Sequence, residues 1–144
     1  MRSTIGVAVL ALLSASCGGK SPVAPTPPPP ANVAGSWTGN LQSSNWASQA
    51  VNALFNQSGS SVSGTWSASP NDWNGTLTGT TDAATFTGTF TISAPNALGA
   101  GPRCTGTASV NGSASGVTLR WTSPGFTGSC TGMPVGLTWN LQRR

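Results

Sequence analysis

Residues 74–92 read NGTLTGTTDAATFTGTFTI, and this stretch decides the fold class. Threonine recurs at every second position, and the positions between hold glycine or the apolar residues Leu77, Phe86, Phe90 and Ile92. Alternation of apolar and polar residues predicts a half-buried β-strand. The interruption at residues 81–83 predicts a tight turn, so the stretch is interpreted as a β-hairpin with one apolar face and one hydroxyl-bearing face.

The same two-residue period continues through the chain from Gly35 onward. It predicts strands near residues 35–42, 49–57, 61–68, 74–80, 84–92, 104–110, 114–122 and 134–142. One dry face and one wet face are typical of an antiparallel sheet that closes on its own core. The expected fold is therefore all-β, an up-and-down meander of about eight strands closing into a small barrel. The positions expected to face inward are Trp37, Leu41, Val51, Phe55, Val62, Trp66, Leu77, Phe86, Phe90, Ile92, Val110, Val117, Leu119, Trp121, Val135, Leu137, Trp139 and Leu141.

A Ser/Thr-Gly-Thr triplet recurs in successive predicted strands, at residues 63–65, 78–80, 87–89 and 105–107. By parity these glycines face inward. Glycine weakens a strand interior, so it usually marks a bend or a place where another group approaches closely. We expect the glycines to make room for Trp and Phe rings.

The composition argues against catalysis. Charged residues make up 6% of the chain, His and Tyr are absent, and the carboxylate side chains are Asp72 and Asp82. Acid–base, metal-dependent and triad mechanisms lack the side chains that they use. We expect a protein that is not an enzyme, with no catalytic residues, metal ligands or cofactors.

The first sixteen residues have the features of a signal peptide. A positive start is followed by the apolar run from Ile5 to Leu13, which is too short to span a bilayer. Ser14-Ala15-Ser16-Cys17 resembles the lipobox of bacterial lipoproteins, although Ser14 stands where leucine is usual. The resemblance implies that Cys17 is diacylated and that the protein is exported and lipid-anchored to the cell envelope, at the outer membrane or cell surface. The alternative is ordinary secretion.

Residues 17–34 are expected to form the lipid-anchored cysteine and a Pro-rich stalk ahead of a barrel domain at 35–144. Six of the thirteen residues after Cys17 are proline. Such a segment favours polyproline II, which advances about 3.1 Å per residue. It is interpreted as a spacer between membrane and domain, and the alternative is an inert tail.

The connections predict two different ends of the barrel. Tight turns are expected at residues 57–60, 81–83 and 111–113, the last from Asn111-Gly112, which favours a type I′ turn. Longer loops, at residues 43–48, 69–73, 93–103 and 123–133, fall at the opposite end. Because the stalk enters at the tight-turn end, the long loops are expected to face away from the membrane.

With Cys17 used for lipid, Cys104 and Cys130 remain as a pair, and both fall at the long-loop end. A disulfide there would close a loop and stabilise the fold by about 3–4 kcal/mol in the chain-entropy model. A redox-active pair is the alternative, but the C-x-x-C spacing is missing.

The candidate binding residues are Trp46, Trp73, Arg103 and Phe126, all on the long loops, with Met133 nearby. Exposed aromatic residues often mark recognition surfaces. The alternatives are that the rings cover the open end of the core and that Arg103 is a solvated loop cation. The barrel domain has four arginines and two aspartates, a net charge of +2, which is too small and scattered for nucleic-acid binding.

Gly35-Ser36-Trp37 resembles the G-x-W opening of the calycins, the group of lipocalin- and avidin-type barrels. The likeness to avidins extends over residues 35–43, over Gly64-Thr65-Trp66-Ser67 and over residues 137–141. Ser43 falls where avidins place a biotin-binding serine. Gly39 replaces their asparagine, Trp66 replaces their tyrosine, and no Asp follows Trp139, so the resemblance does not imply biotin binding.

These observations favour a lipid-anchored, non-enzymatic binding module. It would hold a small apolar ligand in the barrel mouth, or a protein partner such as an inhibited envelope hydrolase on its long loops. A purely structural surface lipoprotein is the third possibility. An open interior of a few hundred Å³ would favour the ligand, and a filled barrel would favour the protein partner.

Overall fold

The computed structural model describes residues 24–95, 102–130, 133 and 135–144. The predicted signal peptide and Cys17 lie outside the described residues. The described part contains nine β-strands and no helix. These are β1 (Gly35–Gln42), β2 (Gln49–Ser58), β3 (Ser61–Ser69), β4 (Trp73–Asp82), β5 (Thr85–Ala94), β6 (Cys104–Ala114), β7 (Thr118–Gly125), β8 (Thr127–Gly128) and β9 (Val135–Arg143).

Every strand pairing is antiparallel, and neighbours in the sheet are almost all neighbours in sequence. β9 pairs with both β7 and β1, and the second pairing closes the sheet. The two-residue β8 continues the line of β7 and pairs with β6. The predicted all-β, up-and-down barrel of eight strands with one disulfide is confirmed.

Aromatic rings fill the interior of the barrel. Phe86 stacks on Trp121 with ring centroids 4.4 Å apart, and Phe90 stacks on Trp139 at 4.2 Å. Trp66 then meets Trp139 edge-on at 4.8 Å. Stacked and edge-to-face pairs add about 0.5–1.5 kcal/mol each beyond the area that they bury. This aromatic column occupies the space that an open barrel would leave for a ligand.

The inward glycines accommodate these rings as expected. A Cβ atom at Gly79 would lie 2.5 Å from Cζ of Phe86, and one at Gly88 would lie 2.6 Å from the same atom. The Phe86 ring therefore covers a bare stretch of β4 and β5. Any larger residue at either position would displace the ring.

The turn predicted at Asn111-Gly112 is wrong. Both residues lie within β6, where Gly112 pairs with Trp121, and the chain turns at residues 115–117 instead. The Oγ atom of Ser115 accepts a hydrogen bond from the backbone N–H of Thr118 at 3.0 Å, which stabilises that turn. Gly112 is needed for a close approach, because a Cβ there would collide with the carbonyl oxygen of Arg120.

Two residues expected to face inward do not. Val117 falls in the displaced turn and is 66% exposed, and Val135 is 52% exposed at the start of β9. Gly136, with φ of +60°, interrupts the strand alternation directly after Val135. The other predicted inward positions are buried.

The packed region begins earlier in the chain than the predicted start of the barrel domain at residue 35. Val33, within the predicted stalk, is fully buried at the tight-turn end and belongs to the main core cluster. Its N–H donates to Oε1 of Gln57 at 2.7 Å, and its carbonyl accepts from Nε1 of Trp37 at 2.8 Å. Residues 31–34, called the plug below, are therefore part of the folded unit.

Arg143, at the end of β9, holds the plug in place. Its guanidinium donates to the carbonyl oxygens of Asn32, Ala34 and Gly116 at 2.7, 2.5 and 2.6 Å. It also lies over the Trp37 ring, 4.9 Å from the centroid. Arginine can serve several acceptors at once because its donors form a rigid planar fork.

Candidate functional site

The two ends of the barrel differ as predicted. The tight-turn end holds the turns after β2, β4 and β6 together with the plug. The long-loop end holds residues 43–48 between β1 and β2, residues 70–72 between β3 and β4, the β5–β6 connection, and the segment from β7 to β9. Because binding residues concentrate on such loops, the candidate site is sought there.

Trp46 is the exposed aromatic residue of this end. It is 42% exposed, whereas Trp73 beneath it is 4% exposed. Their ring centroids are 5.4 Å apart and the rings are tilted by 56°. Ser43 supports the loop, since its Oγ accepts a hydrogen bond from the backbone N–H of Trp46 at 2.9 Å. Trp46 can therefore meet a partner directly, and Trp73 acts as the support on which it rests.

Arg103 connects the β5–β6 connection to the β3–β4 turn. Its guanidinium lies 2.7 Å from Oδ2 of Asp72 and donates also to the Asp72 carbonyl at 2.5 Å. Two further hydrogen bonds, both of 2.9 Å, reach Oγ and the carbonyl oxygen of Ser93 in β5. The Arg103 and Asp72 side chains are 38% and 73% exposed, so the ion pair lies at the surface. Arg103 is a bracing residue rather than a free cation.

The Cys104–Cys130 disulfide joins the start of β6 to the segment after β8. The two sulfurs are 2.11 Å apart and the Cα atoms 4.8 Å apart. Ser129 adds to this link: its Oγ accepts from the N–H of Thr105 at 2.9 Å, and its own N–H donates to the Thr105 carbonyl at 2.9 Å. The predicted pairing of the two cysteines is confirmed.

The start of β9 returns to the first loop. Oδ1 of Asn45 accepts from the N–H of Val135 at 3.3 Å, and Oγ of Ser44 donates to the Val135 carbonyl at 3.5 Å. Each of the four long connections, or the strand residue that adjoins it, thus contacts the next one around the barrel. We call this set of contacts the loop ring. Its four links are Trp46–Trp73, Arg103–Asp72, Cys104–Cys130 and Val135–Asn45.

Phe126 lies between β7 and β8 and is half-buried. Four residues, 123–126, stand opposite three residues of β6, so the chain bulges here. Pro124, which has no N–H to pair, lies within this bulge. The bulge places the Phe126 ring 6.3 Å from Trp66 and nearly parallel to it. Phe126 therefore extends the aromatic column to the long-loop end and covers it.

The predicted site residues thus lie at one end but have different environments. Trp46 is exposed, Arg103 is ion-paired, Phe126 is half-buried and Trp73 is buried. Sequence reasoning missed the partners that position them, namely Ser43, Asn45, Asp72 and Val135. A Ser-x-Asn turn before Trp46 was the one local signal available.

Three buried polar atoms in the described part of the chain have no hydrogen-bond partner. They are Oε1 of Gln49 and the indole N–H groups of Trp121 and Trp139. Leaving such a group unpaired costs about 1–3 kcal/mol. For the two tryptophans this cost accompanies the tight ring packing of the aromatic column.

Within the described residues, no group of three or more His, Cys, Asp or Glu side chains could hold a metal ion. The same residues contain no helix with the length and apolarity needed to cross a membrane. Asp72 directly precedes β4 at the long-loop end, and Asp82 ends β4 at the tight-turn end. The two carboxylates therefore cannot act together on one substrate.

No known protein family matches the chain, and neither does a curated protein or a solved structure.

Proposed function

We propose that this protein is an exported, lipid-anchored binding module without catalysis, and that it binds a protein partner through its long-loop end. The loop ring is the observation that carries the proposal. A rim braced by an ion pair, a disulfide, an aromatic contact and backbone hydrogen bonds loses little conformational entropy on binding. The core of the barrel is already filled, so we attribute the bracing of the loops mainly to recognition and less to the stability of the barrel.

The filled interior favours a protein partner over a small apolar ligand. Phe126 and Trp66 extend the aromatic column up to the long-loop end. A ligand pocket buries most of the surface of its ligand, and these rings occupy that volume. Trp46 and Val135, by contrast, are both exposed, and the backbone of Val135 binds Asn45, the neighbour of Trp46 in sequence. Exposed tryptophan is frequent among residues that dominate protein interfaces.

Site-specific photo-cross-linking in the native host tests the binding surface. A photoreactive residue at position 46 is expected to give a discrete cross-linked protein band. The matched control is position 54, because Leu54 is also a large exposed apolar residue, 53% exposed, but lies on the barrel wall in β2. Cross-links at position 54 and none at position 46 would contradict the proposal.

Native mass spectrometry of protein purified from the host distinguishes the ligand alternative. The proposal expects the mass of the processed chain plus its acyl groups and nothing else. A retained small molecule that survives gentle ionisation would instead support a ligand site. If neither a ligand nor a cross-linked partner is found, the purely structural role is favoured.

The anchor has its own test. The wild-type protein is expected to partition into detergent, and Cys17→Ala is expected to abolish both this partitioning and the added acyl mass. A mature wild-type protein with an unmodified Cys17 would contradict the anchor but leave the binding surface untouched.

A further inference from the structure

The outer wall of the barrel has two chemically different halves. Outward positions of β3, β4, β5 and β6 carry mainly Thr and Ser hydroxyls. Outward positions of β1, β2, β7 and β9 also carry hydroxyls, but they hold most of the amide and guanidinium groups of the wall as well. These are Asn40, Gln42, Asn52, Asn56, Arg120, Asn140 and Gln142. The long-loop site does not use this second half.

A groove of about 630 Å³ lies on this second half, across β1, β9 and β7. The strand register places Asn40, Asn140 and Arg120 side by side in one row. The backbones of β1 and β9 approach so closely at Gly39 that a Cβ atom there would collide with the Asn140 carbonyl oxygen. Leu119 and Leu141 also line the groove, but their side chains are buried in the core, so they contribute backbone to its floor. Amide and arginine side chains stand beside that backbone.

Among the described residues, no carboxylate forms an ion pair with Arg120. Its Nε donates to Oδ1 of Asn140 at 3.1 Å, so a neutral amide orients the guanidinium without neutralising it. Arg103, in contrast, is paired with Asp72. Asp82 ends β4, which lies on the opposite side of the barrel from β9. An oriented guanidinium is suited to bidentate binding of a carboxylate.

We propose that this groove binds a polysaccharide strand that bears carboxylate groups. Arg120 would pair with a carboxylate, and the flanking Asn and Gln amides would both donate to and accept from sugar hydroxyls. An acidic peptide fits less well, because peptides dock on free sheet edges, in apolar pockets or, when acidic, on clusters of arginines. Among the described residues that line the groove, Arg120 is the one arginine. Here β1, β7 and β9 are paired on both sides, and the two leucines lining the groove are buried. This inference is independent of the long-loop site.

The probe is a tetramer of galacturonic acid, titrated into residues 24–144 while backbone amide shifts are followed by NMR. We expect shift changes concentrated in β1, β7 and β9. Arg120→Gln is expected to weaken binding by roughly tenfold, which corresponds to the loss of a hydrogen bond between charged groups. Maltotetraose is neutral and cannot pair with Arg120. Its affinity for the wild-type protein should therefore be no higher than the affinity of the galacturonic acid tetramer for Arg120→Gln.

Thr89→Glu is the matched control. It lowers the net charge by one, as Arg120→Gln does, but it lies on the exposed face of β5 in the hydroxyl half. Binding should stay within about twofold of wild type at moderate salt, because exposed charges more than a Debye length apart are screened. Equal weakening by both variants would reduce the effect to net charge and overturn the site. Absence of any shift, or equally tight binding of a tetraglutamate peptide, would overturn the glycan assignment.

Discussion

Each end of the barrel is organised around one arginine, and the two arginines bind different kinds of group. Arg143 at the tight-turn end donates to three backbone carbonyls and lies against the Trp37 ring. Arg103 at the long-loop end binds an exposed carboxylate as well as carbonyl groups. The first end is closed by a buried segment of the chain itself. The second is braced but leaves Trp46 exposed, as a binding surface requires.

The largest expected effect comes from removing the plug. A chain of residues 35–144 loses burial of Val33 and several hydrogen bonds, so its free energy of unfolding should fall by about 4–6 kcal/mol relative to residues 24–144. Urea denaturation measures the difference. Residues 24–30 are exposed, so a chain starting at residue 31 is the control and should match residues 24–144. Equal stability of the 35–144 chain would mean that the tight-turn end closes without the plug.

Removing the disulfide should affect the opposite end. The double variant Cys104→Ser, Cys130→Ser is expected to lose about 3–4 kcal/mol in the chain-entropy model. Below the unfolding transition, hydrogen exchange should rise first at Thr105 and Ser129, while the plug stays protected. Faster exchange at the plug than at these residues would show that the two ends are not independent.

The two arginines give a direct comparison. Arg143→Met removes a part-buried hydrogen bond to the Ala34 carbonyl, two further carbonyl bonds and the contact with Trp37, and should cost about 2 kcal/mol. Arg103→Met breaks an ion pair and hydrogen bonds that are all exposed, whose acceptors water can reach, and should cost about 1 kcal/mol or less. Salt should weaken the Arg103 contribution and leave that of Arg143 nearly unchanged. Arg143→Lys should not rescue stability, because a single ammonium cannot reproduce the fork. The reverse order of the two costs would contradict the roles assigned here.

The smallest effect compares two residues with positive φ, one at each end. Ala83 at the tight-turn end has φ of +43°, and Asp72 at the long-loop end has φ of +50°. Ala83→Gly should relieve strain and raise stability by about 0.5 kcal/mol. Asp72→Gly offers the same relief but breaks the ion pair with Arg103, so thermal denaturation should show no gain. A gain at Asp72 equal to that at Ala83 would mean that the ion pair contributes nothing.

The barrel itself could be predicted because it depends on local alternation. A period of two over residues 74–92 requires one buried face, and strands of this kind joined by short turns can close only on one another. The polarity of the two ends followed from the lengths of the connections. None of these inferences needed contacts between distant residues.

Among the predictions from the sequence that were wrong are the turn at Asn111-Gly112, the loop position of Trp73 and the placement of Val33 in the stalk. Glycine after asparagine favours a turn, but Gly112 is required by the close approach of β7 and lies inside a strand. Trp73 was placed on a loop, yet β4 begins with it and turns its ring inward. Composition assigned Val33 to the stalk because prolines precede it. The residues on either side of it, Asn32 and Ala34, bind Arg143, more than a hundred residues away in sequence.

One link of the loop ring, Cys104–Cys130, was predicted, because these two cysteines remained to pair with each other. The other three links could not be predicted, because their residues lie far apart in sequence. Arg103 and Asp72 are 31 positions apart, and Val135 and Asn45 are 90 positions apart. No local pattern indicates such pairs. They follow only from the barrel closure that brings the four long connections to one end.

The distribution of tryptophan gives the protein a built-in optical reporter. The chain has six tryptophans and no tyrosine, so its near-ultraviolet absorption and emission come almost entirely from indole. Five of the six are at most 4% exposed, and Trp46 is 42% exposed. Iodide in solution should therefore quench one emitter, the red-shifted one, at the long-loop end. Shielding of that emission on mixing with a candidate partner would report contact there without any label.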